Sequence, residues 1–143
     1  MDDVQLTSLY TRRAALMLLG AAISKGDTNM GQPVIHFEIG CRDRAKTEEF
    51  YSTLFDWNMH ANGPATLIDA AERGITGHIT SLGHEPHHYT IFYVQVDDVQ
   101  AYLDKATKLG GKTLVPPIKI PDGTFAWFSD PDGNTIGLLK PNR

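Results

Sequence analysis

His36 and Glu38 stand two residues apart in Val34-Ile35-His36-Phe37-Glu38-Ile39-Gly40. In extended chain alternate side chains share a face, so this imidazole and carboxylate point the same way. A neighbouring carboxylate favours the imidazolium and raises the pKa of a histidine. Such a pair can act as a general acid/base couple; it reads equally as a hydrogen-bonded structural pair. A second group, His84, His87 and His88, has the look of a metal cluster. Loop histidines at this spacing more often stand exposed than hold an ion, and the segment reads as a polar connector. A third tract, Asp130-Pro131-Asp132-Gly133-Asn134, looks like the opening of a calcium loop. That loop needs a sixth-position Gly and a closing bidentate Glu, whereas this chain runs on to Lys140 and Pro141.

The same tract makes better sense as a turn. Phe125 to Ser129 and Thr135 to Leu139 are aromatic or β-branched runs on either side of it. Pro131 supplies the fixed φ of a turn, Gly133 can take positive φ, and Asp130 can bond back onto the turn backbone. A hairpin follows. Gly137 sits inside its closing strand, where a glycine packs nothing, so another group should lie close against it.

The remaining elements follow by periodicity. Val34 to Gly40 is a strand. Asp43 is the N-cap of a helix in which Thr47, Phe50, Tyr51, Leu54 and Phe55 recur at helical spacing. Trp57 to His60, Ala65 to Asp69 and Ile75 to Ser81 are three more strands. The pattern then restarts with Tyr89 to Val96. Asp97 or Asp98 caps a helix whose buried stripe is Val99, Tyr102, Leu103, Ala106 and Leu109, ended by Gly110-Gly111. Lys112 to Val115 is a strand broken by Pro116-Pro117, and the hairpin supplies the last two. Strand, helix and three strands occur twice, in modules of about 33–82 and 88–141. Neither copy covers its own sheet face alone. The fold class is therefore α+β: two βαβββ modules whose curved sheets, meeting side by side, leave a cleft between them, the default place for a ligand.

Residues 1–32 differ in character. Arg12-Arg13 precedes a short apolar run, Ala14 to Ala22, and Lys25 follows. This segment reads as a twin-arginine export signal or as a packed N-terminal helix, with Ser24 to Gln32 as linker. Export would make the mature protein periplasmic; otherwise it is cytoplasmic. The domain proper is 33–141. Its chain of 143 residues carries 13 Lys and Arg against 17 Asp and Glu, a formal charge of −4. That balance gives no basic footprint for nucleic acid. Cys41 is the single cysteine, so neither a disulfide framework nor a thiolate zinc site is available. No apolar run reaches the length of a membrane span.

His36 early in the first strand, Phe50-Tyr51 and Leu54-Phe55-Asp56-Trp57, Val96-Asp97-Asp98, Gly110-Gly111 and Asp130-Pro131-Asp132-Gly133-Asn134 occur in this order and spacing. In these features Pro33 to Leu139 resembles the vicinal oxygen chelate superfamily of glyoxalase I, bleomycin-resistance proteins and extradiol dioxygenases. The resemblance implies two βαβββ modules forming a cupped mixed sheet around a central cleft, often dimeric, and in the metal enzymes four ligands from the first and last strands of each module. Those positions fall on His36, on Gly77 or His78, on Ile91 or Thr90, and on Gly137. At most two ligands survive, so no metal and no cofactor is expected. With His36 facing the cleft, Glu38 and Gly40 face it too, and pseudo-symmetry places Ile91, Tyr93 and Gln95 on the opposite strand. Trp127 is a wall of the cleft or part of the core. Strand alternation within this cleft makes His36 and Glu38 the candidate catalytic residues. Ile91, Tyr93, Gln95, Trp127 and Gly137 are the candidate substrate-binding residues for a small-molecule ligand, and a homodimer is expected. A metal-independent lyase or isomerase-like enzyme and a drug-sequestering protein stand nearly level as functions, ahead of a metal-dependent glyoxalase or dioxygenase.

Overall fold

The computed structural model describes residues 31–82 and 86–142. The export signal or packed helix expected within residues 1–30, and His84 of the connector, lie outside the described residues.

Among the described residues, eight strands and two helices appear in the expected order, strand–helix–three strands, twice. The first module is β1 (Val34–Gly40), α1 (Arg44–Phe55), β2 (Met59–Asn62), β3 (Ala65–Ile68) and β4 (Thr76–Thr80). The second is β5 (Tyr89–Gln95), α2 (Val99–Lys108), β6 (Lys112–Ile120), β7 (Gly123–Ser129) and β8 (Thr135–Pro141). The strands form one mixed sheet in the order β2-β3-β4-β1-β5-β8-β7-β6. Each half repeats one scheme: the first strand of a module lies parallel to its last, β1 to β4 and β5 to β8. The halves join through antiparallel β1 and β5. The two initial strands therefore lie side by side at the centre of the sheet, and their side chains make the site.

Local chemistry explains the boundaries. The Asp43 carboxylate accepts from the Lys46 amide at 3.1 Å and starts α1. Between Asp97 and Asp98, Asp98 is the cap of α2, accepting from the Ala101 amide at 3.0 Å. Gly110, at φ 99°, carries the chain out of α2 through a backbone region that glycine tolerates. Val99 and Leu103 are the buried positions of α2, packed with Val96, Ala126 and Leu138. Leu109 does not belong to this stripe as expected: it is the C-cap residue, past the last turn, and 71 % exposed.

The strand starting at Lys112 also departs from expectation, running through Pro116-Pro117 to Ile120. The reason is its place at the sheet edge, paired among the described strands with β7 alone, where a missing amide donor breaks no second ladder. Register shifts between Thr113 and Val115 and between Val115 and Ile118 absorb the prolines. The hairpin turn forms as expected. Asp130 Oδ1 accepts from the amides of Asp132 and Asn134 at 3.0 and 2.9 Å, its Oδ2 accepts from Asn134 Nδ2 at 2.8 Å, and Gly133 has φ 90°. The Asp130 carboxylate is thus engaged by its own turn.

Both helices serve one face of the sheet. On that face Cys41, Ile68 and Ile79 pack with Phe37, Ile39, Tyr51, Trp57 and Met59 in the first module. The helix-free face carries a third apolar cluster, Ile91, Tyr93 and Trp127, with Tyr89, Val115, Phe125 and Leu139 against it.

Candidate active site

The site begins with the register between β1 and its two neighbours. Glu38 lies opposite His78 of β4 on one side and Ile91 of β5 on the other; His36 lies opposite Thr76 and Tyr93. Paired residues on adjacent strands share a face. His36, Glu38, Thr76, His78, Ile91 and Tyr93 therefore all belong to the helix-free face. Of the two positions the sequence left open, His78 is the one on that face. Gly77 lies under the ring of Phe37, on the helix side.

Glu38 is 4 % exposed and fully engaged. Tyr89 Oη donates to its Oε2 at 2.5 Å, and Tyr93 Oη to its Oε1 at 2.7 Å. His78 Nε2 lies 2.9 Å from Oε1. Trp127 Nε1 donates to Tyr93 Oη at 2.8 Å, so the indole fixes the tyrosine that fixes the carboxylate. Burial alone would raise the pKa of Glu38, but the bonds from His78, Tyr89 and Tyr93 outweigh it and hold the group below the usual value. Both tyrosines are shifted the other way, by burial first and then by the Glu38 charge, and keep their protons.

Two glycines make room for these tyrosines. A Cβ at Gly40 would lie 2.1 Å from Tyr89 Cε1, and one at Gly137 would lie 2.3 Å from Tyr93 Cδ1. Gly137 is opposite Tyr93 on one side and Trp127 on the other, which answers the question its place in a strand raised.

His36 does not reach Glu38 directly, as the two-residue spacing suggested it would. Its Nε2 is 2.7 Å from His78 Nδ1, and its Nδ1 is 2.7 Å from Thr76 Oγ1. The two imidazoles stack with centroids 5.0 Å apart. The pKa of His36 is lowered, to about 4: burial dominates, the His78 charge adds to it, and Glu38 and Asp122 oppose it. Glu38 still favours the imidazolium as expected, but burial and the His78 charge outweigh it. Donor and acceptor counting orders the protons. An ionised Glu38 can only accept, so His78 carries a proton on Nε2, and in its neutral form it accepts at Nδ1. His36 then donates from Nε2 and accepts at Nδ1 from Thr76. The result is a directed chain, Thr76 to His36 to His78 to Glu38.

Trp127 and Gly137 join this centre, and Ile91 lines it as part of the apolar cluster. Gln95 ends β5, opposite Leu139 and two residues beyond Tyr93. Thr76, His78 and Tyr89 are the members the sequence reading did not assign. Period-two alternation back from Tyr93 through Ile91 points to Tyr89; Thr76 and His78 become legible only with the β1–β4 register. In the connector, His87 is half-buried and His88 exposed, with His84 outside the described residues.

The donors do not suit the four-ligand metal centre of the superfamily's metal enzymes. Tyr93 fills the space a side chain at 137 would need, and Ile91 offers no donor. The facing nitrogens of His36 and His78 bind each other, and both Glu38 oxygens are engaged. Among the described residues no group of three or more His, Cys, Asp or Glu converges on one point.

The sequence model of the Glyoxalase/Bleomycin resistance protein/Dioxygenase superfamily matches residues 34–138. The chain belongs to this superfamily. Relatives within the glyoxalase superfamily include "Putative glyoxylase CFP32" of Mycobacterium tuberculosis, 32% identical over 113 residues, covering 71% of this chain and 42% of that one. The chain thus spans about two fifths of that relative's length. A glyoxylase-like domain-containing protein of Didymella fabae is 29% identical over 118 residues, 74% of this chain and 92% of its own. The crystal structure of a superfamily member from Vibrio splendidus 12B01 superposes with a TM-score of 0.54 at 13% identity, over 78% of this chain and 100% of that one. That last likeness concerns the fold. It is the α+β fold of a glyoxalase-superfamily protein, with an eight-stranded mixed sheet and two helices among the described residues.

Proposed function

We propose that this glyoxalase-superfamily chain is a metal-independent acid–base enzyme of the lyase or isomerase type, acting on a small organic substrate. The observation that carries this reading is the chain Glu38–His78–His36, with bonds of 2.9 and 2.7 Å. His36 is the general base: it is neutral near pH 7, and its Nδ1 is the accepting nitrogen at the outer end of the chain. A proton taken up at the His36 end can pass to His78 Nδ1 as His36 releases its Nε2 proton. The charge then rests on His78, beside the buried carboxylate. Glu38 is a positioning and charge-stabilising group, not the acid/base partner its spacing suggested. Its three hydrogen-bond partners keep it ionised, as orienting carboxylates in acid–base relays must be. Ile91 and Trp127 supply the apolar wall beside it. A homodimer is the accompanying expectation, periplasmic if Arg12-Arg13 belongs to an export signal and cytoplasmic otherwise.

A drug-sequestering protein is the alternative, in which the same groups would only hold a ligand. The test is proton exchange: a panel of small carbon acids, such as 2-oxo and 2-hydroxy acids and their thioesters, is incubated in deuterated water with the protein. Incorporation of deuterium by the wild type that His36→Gln loses supports the enzyme. Saturable binding with no exchange of any panel member supports the alternative.

A further inference from the structure

We propose that Thr76 is the proton port of this site, the hydroxyl through which protons enter and leave the His36–His78 pair. The inference rests on the acid–base reading above and deepens it by one residue. Three observations meet at Thr76. Its Oγ1 is 2.7 Å from His36 Nδ1. The same oxygen is 3.4 Å from the Ile35 carbonyl, a second partner it can donate to. Thr76 is exposed, whereas Glu38 at the other end is buried.

The proton inventory makes the hydroxyl a two-position switch. In the neutral chain Thr76 donates to His36 Nδ1, because every other member is already committed. With one proton more, whether it sits on His36 or on His78, His36 Nδ1 carries a hydrogen and must donate. Thr76 Oγ1 then accepts, and its own hydrogen turns to the Ile35 carbonyl. The balance is closed. An incoming acid gives its proton to Oγ1 and keeps the bonding electron pair. The threonine proton moves to His36 Nδ1, and the His36 Nε2 proton moves to His78 Nδ1. Thr76 ends neutral with one hydrogen, and His78 ends as an imidazolium against Glu38. The inner members cannot substitute as a port. His78 faces Glu38 and His36 with its two nitrogens, and Tyr93 and Tyr89 are donors to the carboxylate.

Exchange of the imidazole ring protons with solvent, followed by nitrogen-15 NMR on the full chain without substrate, tests this directly. Thr76→Val is expected to slow exchange at His36 and His78 by about tenfold, the worth of one ordinary hydrogen bond. It should also shift His36 Nδ1 downfield as that nitrogen loses its donor. Thr76→Ser keeps the hydroxyl and is expected to exchange like the wild type. Thr76→Ala, also lacking the hydroxyl at this exposed position, stands in if the valine variant does not fold. Wild-type exchange rates in the valine or alanine variant would overturn the port, as would a serine variant as slow as the valine one. The readout needs no turnover, so its failure is distinct from failure of the enzyme reading, which the deuterium-incorporation assay decides.

Discussion

The ring of Tyr93 lies over the backbone of Gly137, with its Cδ1 2.3 Å from where a Cβ at 137 would stand. A metal enzyme of this superfamily would place a ligand side chain there, by the resemblance read from the sequence. Here the glycine seats a tyrosine that points its hydroxyl at Glu38 instead. One position thus links the loss of a ligand to the gain of a buried hydrogen-bond network.

Gly137→Ala should therefore destabilise the protein by about 1–3 kcal/mol, the usual range for overpacking a closed site. The nearest atoms belong to a ring that is itself wedged against Trp127 and Glu38, so it has little room to give. Urea denaturation of the variant checks this. A midpoint equal to wild type would show that Tyr93 moves freely and that the network is loose.

Acid should weaken the fold in a defined window. The His36 pKa is lowered from 6.5 to about 4. Below pH 6.5 the unfolded chain binds a proton at this histidine that the folded one refuses, so stability falls as the pH drops and levels off near 4. Glu38 acts in the same direction lower down: its folded pKa is depressed, so its contribution is lost as the pH falls through that value. Thermal melts at pH 7, 6, 5 and 4 (test conditions, roughly one unit apart) should show a falling midpoint, with a shallower slope above pH 4 in His36→Gln. A flat profile in both proteins would contradict the assigned burial of His36.

Metal content is predicted to be substoichiometric after purification without chelator, and EDTA should leave folding and any exchange activity unchanged. The reason is the donor set: His36 and His78 turn nitrogens toward each other, and Glu38 is already bonded at both oxygens. Gly137→Glu alone should not create a tight site, because Ile91 still offers no ligand and Tyr93 occupies the space. One equivalent of metal by elemental analysis, lost on His36→Ala, would reverse this prediction.

A homodimer is expected in light scattering at micromolar concentration. Helix α1 has no buried residue and leaves Phe50, Leu54 and Phe55 each more than half exposed. The β6 edge adds Leu114, Ile118 and Ile120 as exposed apolar positions. Association covers such faces and edges. Phe50→Glu should then shift the mass toward the monomer, and a wild type that is already monomeric would count against the expectation.

Much of this protein was decided by the sequence alone, wherever the deciding interaction is local. Asp43 and Asp98 cap helices through amides three residues on. Asp130 and Gly133 make their turn within five residues. Period-two alternation put His36 and Glu38 on one face, and the repeated strand–helix–strand order announced the paired modules. What the sequence could not decide was which residues meet across strands distant in the chain. His78 is forty residues from Glu38, and a slip of one residue in the β1–β4 register would have presented Gly77 instead. That register is set by packing on both faces at once, the ring of Phe37 needing Gly77 on one side while Glu38 meets His78 on the other. Pro116-Pro117 could be read as a strand end because the edge position of β6 is a property of the whole sheet. Tertiary structure alone thus assigned the roles, giving Glu38 to His78, leaving His36 depressed in pKa, and bringing Thr76 to the open end of the chain.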